Sequence, residues 1–364
     1  MDTPRSALPP GVLSMHVLPA DHHDRDWDAI IVPREAKERL LAQALLVLQH
    51  GRKLSMLAGL PHGLIVLAGP PGTGKTTMAR GLAQVAALAL ARQGATALLE
   101  INPHAFPSDL LGESQRNVTR LLTETVPEIA ARRPFTVVLI DEVESFAVRR
   151  SAASFESNPV DVHRATDAVL LGIDEIAKHL PSVLFVTTTN FIEAVDEAFL
   201  SRADLVMRFE LPDRDTIAAI LVHALGELAV QWPDLRPIAE DTPRIAELAA
   251  LCAGWDGRRI RKLVLAALAQ RLEVARDPGR LSWDDLFAAA RKKGGVEWAG
   301  GRALTSKEMF PDVPAELMHD HDHGHGPHAH SHPDPHPRGN EESRDPAHSR
   351  PHVQPDDART PSRS

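Results

Sequence analysis

Residues 64–76 constrain the fold more than any other part of the chain. Five apolar residues of strand length lead into the run Gly69, Pro70, Pro71, Gly72, Thr73, Gly74, Lys75 and Thr76, which matches the phosphate-binding pattern G-x-x-x-x-G-K-T. Its glycines let backbone N–H groups close around phosphate oxygens, and the start of the following helix also attracts an anion. Because a strand precedes the motif and a helical pattern follows it, the sequence predicts binding of a nucleoside triphosphate.

The last two residues of this loop have predicted roles toward the nucleotide. Lys75 would reach the β- and γ-phosphates as a point charge. The Thr76 hydroxyl would ligate Mg²⁺. A chance glycine-rich turn is the alternative, and the strand and helix on either side argue against it.

A second informative stretch runs from residue 135 to 142. Six apolar or strand-forming residues are followed by Asp141 and Glu142, as expected of a buried parallel strand that delivers carboxylates to its C-terminal edge. Asp141 would hold Mg²⁺ opposite Thr76, and Glu142 would orient and polarise the water that attacks the γ-phosphate. Taken alone, the stretch is better explained as a strand end and a solvated acidic turn. The upstream phosphate loop reverses that preference.

Three further polar residues each have a functional and a structural interpretation. Asn190 ends another apolar run, where it would either hydrogen-bond the γ-phosphate or attacking water, or simply begin a loop. Arg202 is either a surface charge or an arginine finger, worth ~10³–10⁵ in rate where one operates. Arg258 stands at a predicted helix start, where a basic residue opposes the helix macrodipole unless an anion is near, which favours a phosphate contact over a solvated surface.

Composition narrows the function classes. With 40 basic and 49 acidic residues the net charge is −9, which gives no electrostatic reason to expect nucleic-acid binding. The single cysteine excludes an internal disulfide and suits a reducing compartment. The N-terminus lacks a signal-peptide pattern, and no apolar run approaches the ~18 residues of a membrane span. These features predict a soluble cytoplasmic chain with no membrane partner.

The changing composition along the chain predicts four parts. Residues 1–26, rich in Pro, Asp and His, are expected to be a flexible leader, and 27–211 an α/β domain with a parallel sheet sandwiched by helices. Helical patterns without strands predict a small helical lid over 212–310. Residues 311–364 are expected to be a disordered His-rich tail. Its imidazoles suit Zn²⁺ or Ni²⁺, but without fixed ligand geometry we expect only weak, adventitious binding.

Several motifs taken together resemble those of the AAA+ ATPases. They are the phosphate loop, residues 139–145 (Leu-Ile-Asp-Glu-Val-Glu-Ser), 188–190 (Thr-Thr-Asn) and 257–258 (Gly-Arg). Residues 101–104, 198–204 and 257–263 are similar to the pachytene-checkpoint (thyroid-receptor-interactor) branch, which remodels HORMA-domain proteins. The similarity covers about 27–293.

The resemblance implies a ring, usually a hexamer, with ATP and Mg²⁺ at each subunit interface. Asn190 would be sensor 1 and Arg258 sensor 2, while Arg202 would be the finger that completes the neighbouring subunit's site. The loop over 106–112 would line the central pore and grip a polypeptide. Leu110 and Leu111 stand there where the family commonly has an aromatic residue.

The N-terminal region departs from the eukaryotic members of this branch. Those members carry a substantial adaptor-binding domain, whereas only about 26 residues precede Trp27 here. In this respect the chain is similar to bacterial relatives that are linked to HORMA proteins in anti-phage signalling.

Three function classes follow from these observations. The first is an ATP-driven remodeller of a protein partner. The second is a nucleotide-dependent metallochaperone that uses the His-rich tail, although the chain lacks an Asn-Lys-x-Asp guanine-reading motif; competition of ATP against GTP would distinguish these two. The third, a DNA clamp or helicase loader, is disfavoured by the acidic balance.

Overall fold

The computed structural model describes residues 8–56, 61–102, 113–145, 147 and 159–292. These residues all lie in one compact unit, Met1–Val296. The remaining unit, Glu297–Ser364, is outside the described residues, and so is the predicted tail 311–364.

A six-stranded sheet forms the centre of the described chain. Its strands are β1 (Val12–Leu18), β2 (Leu64–Ala68), β3 (Thr96–Ile101), β4 (Phe135–Ile140), β5 (Val183–Thr189) and β6 (Leu205–Arg208), in the spatial order β1-β3-β4-β5-β2-β6. All neighbours pair in parallel except β1 and β3. Every residue of β2 to β5 is buried, which explains why these strands are continuous apolar runs. The predicted α/β fold is confirmed, with one antiparallel strand added.

Helices cover both faces of this sheet. They are α1 (Asp26–Ala29), α2 (Arg34–Leu54), α3 (Lys75–Leu90), α4 (Glu113–Arg120), α5 (Val126–Ala130), α6 (Pro159–His179) and α7 (Glu197–Leu200). Apolar residues of α2 and α3 pack with one face of the strands, and those of α4 and α6 pack with the other. Successive strand residues alternate between these two cores, as the pleat requires.

A separate apolar core holds the C-terminal helices together. They are α8 (Arg214–Gln231), α9 (Arg236–Glu240), α10 (Thr242–Leu251), α11 (Gly257–Leu268), α12 (Leu272–Arg276) and α13 (Trp283–Arg291). Within this region the sequence predicts a single helix over 257–276. This prediction is wrong, because one helix ends at Leu268 and a second begins at Leu272. At the break Arg271 makes a bidentate ion pair with the buried Asp285 (2.8 and 2.9 Å), which also holds the pKa of that carboxyl well below its usual range. The boundary between 27–211 and 212–310 stays a prediction.

The predicted flexible leader contains an ordered strand. Val12–Leu18 pairs antiparallel with β3, from Val12 opposite Ile101 to Leu18 opposite Thr96. The expectation of flexibility is therefore wrong for this segment. Composition does not reveal that the free edge of β3 offers hydrogen-bond partners to the backbone of this segment. Leu13, Met15 and Val17 are apolar although they are exposed, so the segment lacks the alternation of apolar inward and polar outward residues that predicts an edge strand.

No helix in the described ranges is long and apolar enough to span a membrane. The single cysteine, Cys252, is buried in the core of the C-terminal helices. Burial raises the pKa of its thiol to about 11, so this side chain acts as a small apolar group rather than as a nucleophile.

Candidate functional site

The loop between β2 and α3 has a backbone that side chains would obstruct. Gly69 and Gly72 have φ angles of +148° and +79°. A Cβ on Gly69 would lie 2.1 Å from the carbonyl oxygen of Phe209, and one on Gly72 would lie 2.1 Å from Oδ1 of Asp256. Both positions require glycine because of backbone conformation and close approach, as the phosphate-loop motif predicts.

Lys75 begins α3 and is buried within this loop. Its Nζ donates to the carbonyl oxygens of Gly69 (2.7 Å) and Pro70 (2.9 Å) and to Oδ1 of Asn190 (2.8 Å). Only 6% of the residue is exposed, and burial lowers the pKa of the ammonium. The loop therefore holds its cation beside Asn190, at the ends of two neighbouring parallel strands, β2 and β5.

Thr76 and Asp141 meet across the ends of β2 and β4. The Thr76 hydroxyl donates to Oδ1 of Asp141 (2.7 Å), and the Thr188 hydroxyl donates to the same oxygen. A hydroxyl and a carboxylate in contact form a hard oxygen donor set of the kind that Mg²⁺ prefers. The residues therefore fit the ion that the sequence predicts for Thr76 and Asp141.

Glu142 is held in a specific and costly conformation. Its φ is +55°, the only positive value at a non-glycine position in the described residues, and such a conformation costs about 1–3 kcal/mol. Its backbone N–H donates to the Thr188 hydroxyl (3.0 Å), and its Oε1 accepts from Nδ2 of Asn190 (3.1 Å). These contacts fix the carboxylate at the edge of the sheet, beside the phosphate loop.

Asn190 connects the cation to the carboxylate. Its side chain accepts from Lys75 and donates to Glu142, while its backbone N–H donates to Oε1 of Glu144 (2.9 Å). Asn190 therefore contacts two other predicted site residues, Lys75 and Glu142, while its role toward phosphate or water stays a prediction.

The C-terminal helices close over the phosphate loop at Gly72. The backbone N–H of Arg258 donates to the carbonyl oxygen of Gly72 (3.0 Å), and Asp256 caps α11 by accepting from the N–H of Arg259 (3.0 Å). A small cavity of about 110 Å³ lies here. Its lining comprises Pro71, Gly72, Gly74, Lys75, Thr76, Thr77, Asp141, Glu142, Thr188, Asn190 and Arg258.

A larger cavity of about 920 Å³ adjoins the loop through Gly72 and Gly74. Its walls come from residues 29–33 and 36, from 207–213 and from α8 and α11. The size and the largely apolar walls suit a small organic ligand. A polar cavity, lined by charges of both signs, and a largely apolar cavity therefore share the phosphate loop, an arrangement that suits a nucleotide's phosphates and base.

The structure does not bring Arg202 to this site within one chain. Its guanidinium makes a bidentate pair with Asp174 on α6 (2.7 and 2.8 Å) and also donates to the carbonyl oxygen of Ala198 (2.8 Å). This pair keeps the pKa of the Asp174 carboxyl below its usual range. Arg202 lines neither of these two cavities, and its role as a finger stays a prediction.

Sequence reasoning missed three residues that organise the site. Thr188 bridges Asp141 and Glu142, Glu144 holds the backbone of Asn190, and Asp256 packs beneath Gly72. A polar residue near the tip of a buried strand is the signal that could have identified Thr188. The predicted gripping residues Leu110 and Leu111 lie outside the described residues.

Replacing Thr188 by valine should reduce hydrolysis more than nucleotide binding. Valine keeps the shape but leaves Asp141 and the N–H of Glu142 each without one hydrogen bond, at a cost of about 1–3 kcal/mol per unsatisfied group. Steady-state ATPase rates and nucleotide binding, compared with those of Thr187→Val on the same strand, would measure this. Equal rates in Thr188→Val and the unaltered chain would contradict the bridging role.

Comparisons with known proteins find relatives of this chain in sequence and in structure. A family model described as "ATPase family associated with various cellular activities" matches residues 65–211. The chain is 42% identical over 297 residues to CD-NTase-associated protein 6 of Pseudomonas aeruginosa, covering 82% of this chain and 97% of the relative. It is 31% identical to the pachytene checkpoint protein 2 homolog of Arabidopsis thaliana, covering 78% and 67%. A solved E. coli MS115-1 HORMA:CdnC:Trip13 complex contains a chain of the same fold (TM-score 0.62, 20% identity, covering 79% of this chain and 96% of that chain).

Proposed function

Because this chain belongs to the AAA ATPases, in the group that includes CD-NTase-associated protein 6 and the pachytene checkpoint protein 2 homologs, we propose that it uses ATP hydrolysis to remodel a HORMA-domain protein in anti-phage signalling. The match spans 97% of the length of the Pseudomonas aeruginosa relative, which supports an activity like that of the bacterial members of the group. The structural neighbour from a HORMA:CdnC:Trip13 complex supports the choice of partner.

The observation that carries the proposal is the connected set of Lys75, Asn190 and Glu142 at adjoining strand ends. In this proposal the phosphate loop and Lys75 bind the triphosphate, and Thr76 and Asp141 hold Mg²⁺, which would neutralise charge on the phosphate oxygens. Glu142 accepts the proton of the attacking water, and Asn190 keeps that carboxylate in place. Arg258 contacts phosphate from the C-terminal helices.

Assembly into a ring, with a hexamer as the expected form, is part of this proposal. Arg202 lies apart from its own chain's cavities and is presented by Asp174 on α6. Insertion into the neighbouring subunit's site would require this guanidinium to exchange its contacts with Asp174 and Ala198 for phosphate oxygens. In the proposed ring, Arg202 of one subunit completes the nucleotide site of its neighbour.

A partner assay tests the proposed function directly. A candidate HORMA-domain protein would be purified in complex with its own partner and mixed with this chain and ATP. We expect the partner to raise the ATPase rate and the complex to come apart only when ATP is hydrolysed. An unchanged complex and an unstimulated ATPase, in a chain that binds ATP, would reject the remodelling function.

Leu110→Asp should keep basal ATPase activity but lose partner stimulation and remodelling. If Leu110 and Leu111 grip the polypeptide by apolar contact, removing one buried leucine forfeits ~1.5–3 kcal/mol of that contact. Leu272→Asp makes the same change at an exposed leucine on α12 and serves as the control. A folded Leu110→Asp variant that remodels at the full rate would reject the gripping role, and one that is unfolded would identify Leu110 as a core residue.

A further inference from the structure

Three histidines from the N-terminal segment converge beside the sheet. His16 lies on β1, and His22 and His23 lie on the short 3₁₀ turn Asp21–His23 that follows it. Their ring centroids are 4.0, 4.8 and 5.5 Å apart, and one nitrogen from each ring lies within 4.8 Å of the others. Within the described ranges, no other group of histidine, cysteine or acidic residues converges in this way.

His23 is oriented as a metal-binding histidine would be. Its Nδ1 contacts Oδ2 of Asp26 (2.8 Å), and a carboxylate on one ring nitrogen is the usual support for a metal bound at the other. The other nitrogen, Nε2, is buried and has no hydrogen-bond partner, although only 6% of the residue is exposed. A buried unpaired nitrogen is costly and calls for an explanation.

The surroundings leave the cluster open on one side. His22 is exposed, His16 is half-buried and His23 is buried, so an ion has a path from solvent. Glu100 is the nearby acid on β3, but Arg80 occupies both of its oxygens (2.8 and 3.0 Å). The donor set is thus three imidazoles with a fourth position free, a composition that Zn²⁺ accepts.

We propose that His16, His22 and His23 form a Zn²⁺ site that fastens the turn Asp21–His23 to strand β1, with Asp26 positioning His23. The site joins β1 to the turn that leads into α1. This segment packs on α3 through the backbone of Trp27 against Gly81, and it continues into residues 29–33 of the larger cavity. This Zn²⁺ site does not depend on the proposed function. It differs from the weak binding predicted for the tail because its three imidazoles lie at defined distances from one another.

The test compares metal binding by the full chain and its variants, prepared without a histidine tag. The variants are His16→Gln, His22→Gln and Asp26→Asn, with His50→Gln on the exposed surface of α2 as the matched control. Zn²⁺ would be titrated against a chromophoric chelator, and Co²⁺ would report coordination through its visible absorption. All variants keep the tail histidines, so the tail contributes equally to each measurement.

We expect one tight Zn²⁺ per chain in the unaltered protein and in His50→Gln, with the intense Co²⁺ absorption of a four-coordinate site. His16→Gln and His22→Gln should lose this ion, and Asp26→Asn should bind it ~10–100-fold more weakly. Saturating Zn²⁺ should raise the melting temperature by about 5 °C in the control but not in the two histidine variants. Equal stoichiometry and absorption in all variants, with circular dichroism showing them folded, would overturn the proposal.

Discussion

Glu142→Gln should bind ATP as the unaltered chain does and hydrolyse it ~10²–10⁴-fold more slowly. The amide still offers an oxygen to Nδ2 of Asn190, so the local hydrogen bond survives. It cannot accept a proton from water, however, and Asp141 remains available for Mg²⁺. Nucleotide binding measured by fluorescence and phosphate release measured at saturating ATP separate these two effects.

Glu144→Gln is the matched control for this change. Glu144 lies two residues further on and contributes to the same local charge, but its oxygen accepts from the backbone N–H of Asn190, which an amide oxygen can also do. We expect this variant to retain most of its hydrolysis. Turnover at the unaltered rate in Glu142→Gln, or an equal loss in both variants, would remove Glu142 as the specific proton acceptor.

Arg202→Ala should bind ATP but hydrolyse it ~10³–10⁵-fold more slowly if Arg202 acts as a finger in the neighbouring subunit. Circular dichroism would check that loss of the partly buried, bidentate pair with Asp174 leaves the variant folded. Asp174→Asn keeps the guanidinium and tests the structural alternative. We expect this control to retain much more activity.

Mixing subunits decides whether Arg202 acts between chains. Arg202→Ala subunits supply an intact nucleotide site, and Lys75→Ala subunits supply an intact finger. Mixed rings should therefore regain part of the activity that each variant lacks. If mixed rings form but stay inactive, the assignment of Arg202 to a neighbouring site is wrong.

The sequence alone determined the sheet positions that carry the candidate site. Buried parallel strands must be continuous apolar runs, so β2, β4 and β5 could be predicted closely. Residues at their C-terminal ends must meet at one edge, which is why Lys75, Asp141, Glu142 and Asn190 could be grouped before any coordinates. The phosphate loop also has a local geometric requirement that glycine spacing expresses directly.

Only the tertiary structure decided which side chains touch. Lys75 and Asn190 are 115 positions apart. Arg202 meets Asp174 on α6, a helix that we did not predict from the sequence. The pairing of β1 with β3 likewise depended on a free strand edge elsewhere in the chain, and it placed His16 near His22 and His23. Periodicity and motifs report local backbone preference and burial, whereas partner choice is set by long-range packing.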